Sequence, residues 1–121
     1  MILVDTSVWV DHLRSGNAAL ASLLAGGHVL THPFVIGELA LDHLRQRRTV
    51  LDSLARLAAI TVATDLEVLH LIERAALSGR GIGYVDAHLL TAVRLTPGSR
   101  LWTADKRLHA VAADMDLAKV P

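Results

Sequence analysis

The sequence predicts an α/β fold, a three-layer α/β/α sandwich in which helices cover both faces of a central, mostly parallel sheet of four or five strands. Short, continuous apolar runs alternate with longer segments of helical periodicity from one end of the chain to the other. Strands that are apolar at every position are typical of parallel sheets covered on both sides. With 121 residues and neither an internal repeat nor a linker, the chain is expected to form a single domain over residues 1–121.

The predicted strands are short runs of apolar and β-branched residues next to turn signals. A glycine pair precedes the second run, and a Pro-Gly pair precedes the fourth. The runs are residues 2–4, 28–31, 59–62 and 100–103, and a short fifth strand is expected at 117–120.

Helix start signals follow the strands. Thr6 or Ser7 is expected to cap the first helix, and Pro33 suits the first turn of a helix that reaches about residue 45. The remaining signals are a capping box formed by Thr64 and Glu67, and Asp105 ahead of the last helix.

Composition excludes several classes of protein. The chain has no cysteine, which excludes disulfides, zinc-thiolate sites and thiol nucleophiles and favours a reducing cytoplasm. No segment has the pattern of a signal peptide or the apolar length of a membrane span. Twelve basic and twelve acidic residues give zero formal net charge, so nucleic-acid binding would have to come from local patches.

Four acidic residues carry the chemical interpretation. Asp5 directly follows the first strand and Asp105 lies just beyond the fourth, so both are expected at the carboxyl edge of the sheet, where ligands of open α/β folds bind. Glu38 and Asp86 lie in otherwise apolar helical stretches. Clustered carboxylates raise one another's pKa and stay ionised only when a cation neutralises them. Hard oxygen ligands select Mg²⁺ or Mn²⁺, which can activate water for attack on a phosphodiester.

These acids lie in motifs that resemble those of the PIN domain and, more narrowly, of bacterial VapC toxins. The motifs are Ile-Leu-Val-Asp-Thr-Ser-Val-Trp at 2–9, Glu38 in its helix, Gly-Ile-Gly-Tyr-Val-Asp-Ala-His-Leu-Leu at 81–90, and Leu-Trp-Thr-Ala-Asp-Lys-Arg-Leu at 101–108. They span nearly the whole chain and occur in the family's order.

The resemblance implies a function and a set of site residues. It implies an endoribonuclease that cuts RNA with Mg²⁺ or Mn²⁺, is inhibited by a VapB-like antitoxin and assembles into homodimers. By the same resemblance, the metal-binding and catalytic residues are Asp5, Glu38, Asp86 and Asp105, and the supporting hydroxyls are those of Thr6 or Ser7 and of Thr103.

Basic residues beside the acids are candidates for RNA contact, because an acidic centre alone would repel the phosphate backbone. Arg80, Lys106 and Arg107 flank the acids in the sequence. The seven histidines have no paired spacing typical of a zinc helix, and packing is the expected role of His88 and of both tryptophans.

Other interpretations stay open. Each acid taken singly could cap a helix or lie on a solvated face. A PIN-like module that binds RNA or protein without catalysis, or another Mg²⁺-dependent phosphoryl-transfer domain, would also use this fold.

Overall fold

Four parallel strands form the centre of the molecule. They are β1 (Ile2–Val4), β2 (Val29–Thr31), β3 (Ala58–Ala59) and β4 (Arg100–Trp102). In the computed structural model, which describes residues 1–120, they lie in the order β3-β2-β1-β4. Strand β1 is therefore internal, and it pairs with strands that begin 27 and 98 residues after its own first residue.

The apolar strand sequences are explained by burial on both faces of the sheet. Leu3 of β1 pairs with Leu30 on one side and Leu101 on the other. Leu3 and Leu101 are completely buried, and Leu30 nearly so.

Seven helices connect or follow the strands within residues 1–120. Two lie between each pair of consecutive strands, and the last follows the fourth strand. They are α1 (Thr6–Ser15), α2 (Ala18–Ala25), α3 (Pro33–Ala40), α4 (Arg47–Arg56), α5 (Asp65–Arg74), α6 (Tyr84–Arg94) and α7 (Lys106–Asp114).

The strand order divides the helices into two layers. The chain moves outward from β1 through β2 to β3, and then crosses back over the sheet to β4. Because parallel crossovers are right-handed, the first four helices cover one face and α5 and α6 cover the other. Helix α3 packs against α1 and α4, and α5 packs against α6. The predicted three-layer α/β/α sandwich is confirmed.

The fifth strand is reduced to one bridge. Leu101 of β4 pairs in parallel with Ala118, and its backbone groups bond the carbonyl of Leu117 at 2.7 Å and the amide of Lys119 at 2.8 Å. The third strand begins one residue earlier than predicted and ends at Ala59; one further bond, from the Ile60 amide to Thr31, continues its ladder.

The helix predicted from residue 33 to about 45 ends at Ala40, so that prediction is wrong at its C-terminal end. The side chain of Asp42 accepts a bond from the His43 amide at 2.8 Å, which competes with helical pairing. Gln46 then adopts a left-handed conformation with φ 51°, and α4 begins. The Arg47 guanidinium donates to the carbonyl of Ala40, a group that the end of a helix leaves unpaired.

The capping box is confirmed. The Glu67 amide donates to Thr64 Oγ1 at 3.2 Å, and the Thr64 amide donates to Glu67 Oε1 at 2.8 Å. Helix α6 is buried at every position from Ala87 to Val93, which makes it the most enclosed helix of the described chain. No helix within residues 1–120 has the length and apolarity needed to cross a membrane.

Candidate functional site

The candidate site lies where the strand order reverses. Strand β1 is flanked by β2 and β4, so the crossovers leaving its two sides go to opposite faces of the sheet and open a crevice at the carboxyl edge. Asp5 follows β1 directly, and its amide donates to the carbonyl of Trp102 at 2.9 Å. That bond places Asp5 beside the end of β4.

Two hydroxyls hold the Asp5 side chain, which is only 7% exposed. Its Oδ2 accepts a bond from Ser7 Oγ at 2.7 Å and one from Thr103 Oγ1 at 2.8 Å. Both donors act on the same oxygen, so the orientation of the carboxylate is fixed.

The same hydroxyls connect Asp5 to the chain that follows β4. Ser7 Oγ accepts a bond from the Ala104 amide at 3.0 Å, and Thr103 Oγ1 accepts one from the Asp105 amide at 3.0 Å. Asp105 then caps α7, since its Oδ1 accepts a bond from the Leu108 amide at 2.9 Å. One network therefore positions two of the four acids.

Glu38 and Asp86 are held from the two helical layers. Thr6 Oγ1 donates to Glu38 Oε1 at 2.6 Å, which links the start of α1 to α3. The Gly83 amide donates to Asp86 Oδ2 at 2.9 Å in the first turn of α6. Glu38 is exposed and Asp86 is half-buried.

The expectation that Thr6 or Ser7 caps the first helix is wrong. Asp5 occupies the N-cap position, and its side chain makes no capping bond to the helix. The hydroxyls of Thr6 and Ser7 instead bond carboxylates, Glu38 and Asp5 respectively. The two hydroxyls that were expected to cap this helix therefore orient carboxylates instead.

The four carboxylates share one bonding pattern. In each, a single oxygen accepts hydrogen bonds, and the other oxygen accepts none from any donor in residues 1–120. The bonded oxygens are Asp5 Oδ2, Glu38 Oε1, Asp86 Oδ2 and Asp105 Oδ1. A carboxylate held by one oxygen can offer the other to a cation.

The surroundings of Asp86 raise its pKa. Burial raises the pKa of this carboxyl above its ordinary value of 3.8, and the charges of Asp5, Asp105 and Glu38 raise it further, while the Gly83 amide opposes the shift. That the four acids bind one cation stays a prediction.

The acids do not form a compact ligand cage. No group of three His, Cys, Asp or Glu side chains within residues 1–120 is close enough to hold one ion. Asp5 and Asp86 are the more enclosed pair, and Glu38 and Asp105 are exposed. The set nevertheless suits Mg²⁺ or Mn²⁺ by its chemistry, because it consists of carboxylate oxygens whose mutual repulsion a cation would relieve.

The three basic candidates have different surroundings. The Arg107 side chain lies against Gly81, where an added Cβ would fall 2.8 Å from Arg107 Cδ. Arg80 is paired with Asp114 at 2.8 Å, and Lys106 is exposed at the start of α7.

A cluster beside the acids was not predicted. His88 is buried, as expected of a packing residue, and its Nε2 lies 3.2 Å from Asp65 Oδ1. The same oxygen accepts a bond from the Tyr84 hydroxyl at 2.8 Å, and Phe34 packs on the His88 ring. Asp65 carries no sequence signal for this role, because its only visible pattern is that of a helix start.

Both tryptophans pack, as the sequence predicts. Trp9 is 4% exposed and belongs to the main core. Trp102 is half-buried, and the ammonium of Lys119 lies 4.7 Å from the centre of its ring.

Known proteins resemble this chain along nearly its whole length. Ribonuclease VapC32 of Mycobacterium tuberculosis, from strains H37Rv and CDC 1551, is 53% identical over 118 residues, which cover 98% of this chain and 95% of the relative. A crystal structure of FitAcB from Neisseria gonorrhoeae superposes with a TM-score of 0.65 at 20% identity, covering 98% of this chain and 95% of that one, and so shares its fold. The family model of the PIN domain matches residues 2–114. The crevice at the reversed strand order, its four acids and these likenesses lead to one assignment: the chain belongs to the PIN domain family.

Proposed function

We propose that this protein is a Mg²⁺- or Mn²⁺-dependent endoribonuclease, the toxin of a VapBC-type toxin–antitoxin pair acting in the cytoplasm. The observation that carries the proposal is the bonding of four carboxylates, each held through one oxygen so that the other is left for a cation. The raised pKa of Asp86, to which the charges of the other three acids contribute, supports it. The ribonuclease names of relatives at 53% identity support RNA as the substrate.

The chain's own residues would prepare the site for the cation. Asp5 is fixed by two hydroxyls and Asp86 by a backbone amide, so these two are proposed as direct ligands. Glu38 and Asp105 are proposed to act through water or on a second ion. When bound, the cation would supply neutralising charge and activate a water for attack on phosphorus.

Positive charge next to these acids would let the phosphate backbone approach. Arg107 is proposed as the principal contact, because its side chain is positioned against the glycine loop that leads into α6. Lys106 is proposed to assist from the first turn of α7. Arg80 is paired with Asp114, so it could contact phosphate only by giving up that ion pair or by binding both groups at once.

Metal removal tests the proposal. Purified protein incubated with structured RNA is expected to cleave it in Mg²⁺ or Mn²⁺, to stop in excess chelator and to resume when metal is restored. The products should carry a 5′-phosphate and a 3′-hydroxyl, since attack by water does not use the ribose 2′-hydroxyl.

An Asp5→Asn preparation controls for contaminating nucleases. Cleavage that persists in chelator would contradict the mechanism, and RNA binding without cleavage would favour a catalytically silent module.

Two glycines of one loop provide a matched test of the Arg107 contact. Gly81 and Gly79 both have positive φ, 80° and 77°, so alanine at either is expected to lower the free energy of unfolding by about 1 kcal/mol. Only at Gly81 would the new methyl meet Arg107, because nothing lies within 4 Å at Gly79. Gly81→Ala should therefore weaken RNA binding more than Gly79→Ala, as measured by a filter-binding titration. Equal RNA affinity of the two variants would remove Arg107 from the proposed contact.

The antitoxin and a second copy of the chain are proposed to bind apolar surface of the first helical layer. A groove of about 570 Å³ lies between α1 and the turn after α3, and its apolar lining includes Val10, Leu13 and Leu44. It overlaps the stretches 8–13 and 35–44, the candidates for such contacts, and extends to Arg14 on one side and Val50 on the other. Light scattering of the isolated chain is expected to give the mass of a dimer, and a monomer at all accessible concentrations would reject the homodimer.

A further inference from the structure

Exposed aromatic surface is concentrated in one place. The chain has two tryptophans, one tyrosine and one phenylalanine. Trp9 is buried and Trp102 is half-buried beside Lys119, whereas Phe34 is 37% exposed and Tyr84 is 47% exposed. The ring centroids of Phe34 and Tyr84 each lie 4.8 Å from that of His88. The two most exposed of these rings thus pack edge-on against the same buried imidazole.

This aromatic pair, Phe34 and Tyr84, lies beside one of the site acids, Glu38. Phe34 is four residues before Glu38 on α3, a spacing that places both side chains on the same face of the helix. Tyr84 follows Gly83, whose amide holds Asp86. The pair therefore lies along the face of α3 that carries Glu38. Tyr84 joins it through the ring of His88, one turn along α6, while Asp86 is two residues from Tyr84 and points to another side of that helix.

The aromatic pair is held in place by the protein itself. The Tyr84 hydroxyl donates to Asp65 Oδ1 at 2.8 Å, and His88 is tied to the same oxygen at 3.2 Å. The Phe34 ring also packs edge-on against His32, with centroids 5.0 Å apart. Rings that are ordered before a ligand arrives lose little entropy when they bind it.

The neighbours of the aromatic pair are polar. The two imidazoles that its rings contact are buried, and the exposed polar groups beside it are the carboxylates of Asp65, which bonds Tyr84, and of Glu38, one turn along α3 from Phe34. An aliphatic protein helix that covered the rings would remove water from those carboxylates and give them no hydrogen bonds in return. A nucleobase can stack its π face on the rings and offer hydrogen-bonding groups at its edges to the polar side chains beside them.

We propose that Phe34 and Tyr84 form a stacking platform for an unpaired base of the RNA, adjacent to the phosphate that is cut. The inference rests on the proposed ribonuclease function and adds to it two residues that would hold the substrate beside the acids. A base can stack only when it is free of its own helix, so the platform selects single-stranded or looped segments. Stacking tolerates any base, so the platform would give little sequence preference.

Binding of a fluorescent RNA tests the platform. The probe is a single-stranded RNA of about seven nucleotides with 2-aminopurine at its centre, titrated with chain that carries Asp86→Asn to prevent cleavage. Stacking quenches the probe. Phe34→Leu and Tyr84→Leu are each expected to weaken binding about tenfold and to reduce the quenching. Tyr84→Phe, which keeps the ring, should restore most of the affinity lost in Tyr84→Leu.

A control variant and a stability measurement separate stacking from structure. Leu66→Ala removes an apolar side chain that is 79% exposed on α5 and is expected to leave binding unchanged. If Tyr84→Phe binds as weakly as Tyr84→Leu and melts at a lower temperature than the parent, the residue acts through Asp65 and the proposal is overturned. If the leucine variants bind RNA as tightly as the parent, the proposal is also overturned. The exposed rings would then be interpreted as a contact surface for a protein partner.

The two proposals fail in different ways. Metal-dependent cleavage by the unmodified chain, together with leucine variants that bind and cleave normally, would reject the platform and keep the nuclease. Absence of cleavage in any metal, together with ring-dependent quenching, would reject the nuclease and keep a single-strand binding platform.

Discussion

Replacement of Asp86 by asparagine is expected to abolish RNA cleavage and at the same time to stabilise the protein in metal-free solution. The loss of activity should exceed about 100-fold, since even residues that merely orient metal ligands contribute 10- to 100-fold and Asp86 is proposed as a direct ligand. Asparagine keeps an oxygen that can accept the bond from the Gly83 amide, so the start of α6 is preserved.

The gain in stability follows from the raised pKa of Asp86. Burial and the charges of Asp5, Asp105 and Glu38 disfavour the ionised carboxylate in the folded protein. A carboxyl group whose pKa is higher in the folded protein than in the unfolded chain lowers the free energy of unfolding at neutral pH. That loss of stability is recovered as the pH falls through the pKa of the folded protein. The neutral side chain of the variant escapes this loss at every pH.

Thermal unfolding in chelator would measure this effect. The variant should melt above wild type at neutral pH, and the difference should shrink as the solution is acidified. Mg²⁺ should raise the melting temperature of wild type more than that of the variant, because ligand that binds only the folded state stabilises it. Asp52→Asn, on exposed surface of α4, is the matched control and should change neither activity nor melting. An Asp86→Asn protein that melts below wild type would contradict the electrostatic interpretation.

Acid is expected to destabilise the protein through His32, by about 2 to 3 kcal/mol between roughly pH 7.5 and pH 4.5. Burial, and secondarily the charge of His88, lower the pKa of His32 from 6.5 to about 4. Its Nδ1 accepts a bond from the Phe34 amide at 3.0 Å, and its Nε2 is buried without a partner in residues 1–120. The ring is therefore held neutral.

The sign follows from the direction of that shift. In the unfolded chain His32 takes up a proton as pH falls below about 6.5, while in the folded protein it stays neutral down to about pH 4. The stability contributed by the neutral ring is complete above the unfolded pKa and is lost as pH falls toward the folded one.

Urea unfolding at the two pH values would measure the loss. His32→Asn keeps an acceptor at the N-cap of α3 and removes the titrating ring, so its free energy of unfolding should be lower at neutral pH but should fall less on acidification. His109→Asn, at an exposed position of α7, should retain the wild-type difference between the two pH values. If the free energy of unfolding falls by the same amount in wild type and in His32→Asn on acidification, the prediction is contradicted.

The sequence allowed the sheet and the two acids at its edge to be located, because both depend on local pattern. A continuous apolar run predicts a buried parallel strand, and the residue that follows such a run must lie at the carboxyl edge. That reasoning places Asp5 and Asp105. The positions of Glu38 and Asp86 came chiefly from the family motifs, since helical periodicity alone does not choose which acid faces a crevice.

What could not be predicted depends on contacts between distant parts of the chain. The end of α3 at Ala40 involves the guanidinium of Arg47, seven residues later. The bond between Asp65 and His88 spans 23 positions, and the burial of His32 follows from elements packed around it. No local pattern records such partners, so propensity was overridden by tertiary structure.

The bond that joins Thr103 to Asp5 has a consequence for synthesis. It spans 98 positions of the chain, and the strand beside Asp5 is β4. On the ribosome, Asp5 and Ser7 are made together, but Thr103, the second hydroxyl that orients the acid, is added 98 residues after Asp5. A nascent chain that has not yet reached β4 therefore carries an unassembled site, and the enzyme proposed here would become able to cut RNA only after that strand has been made.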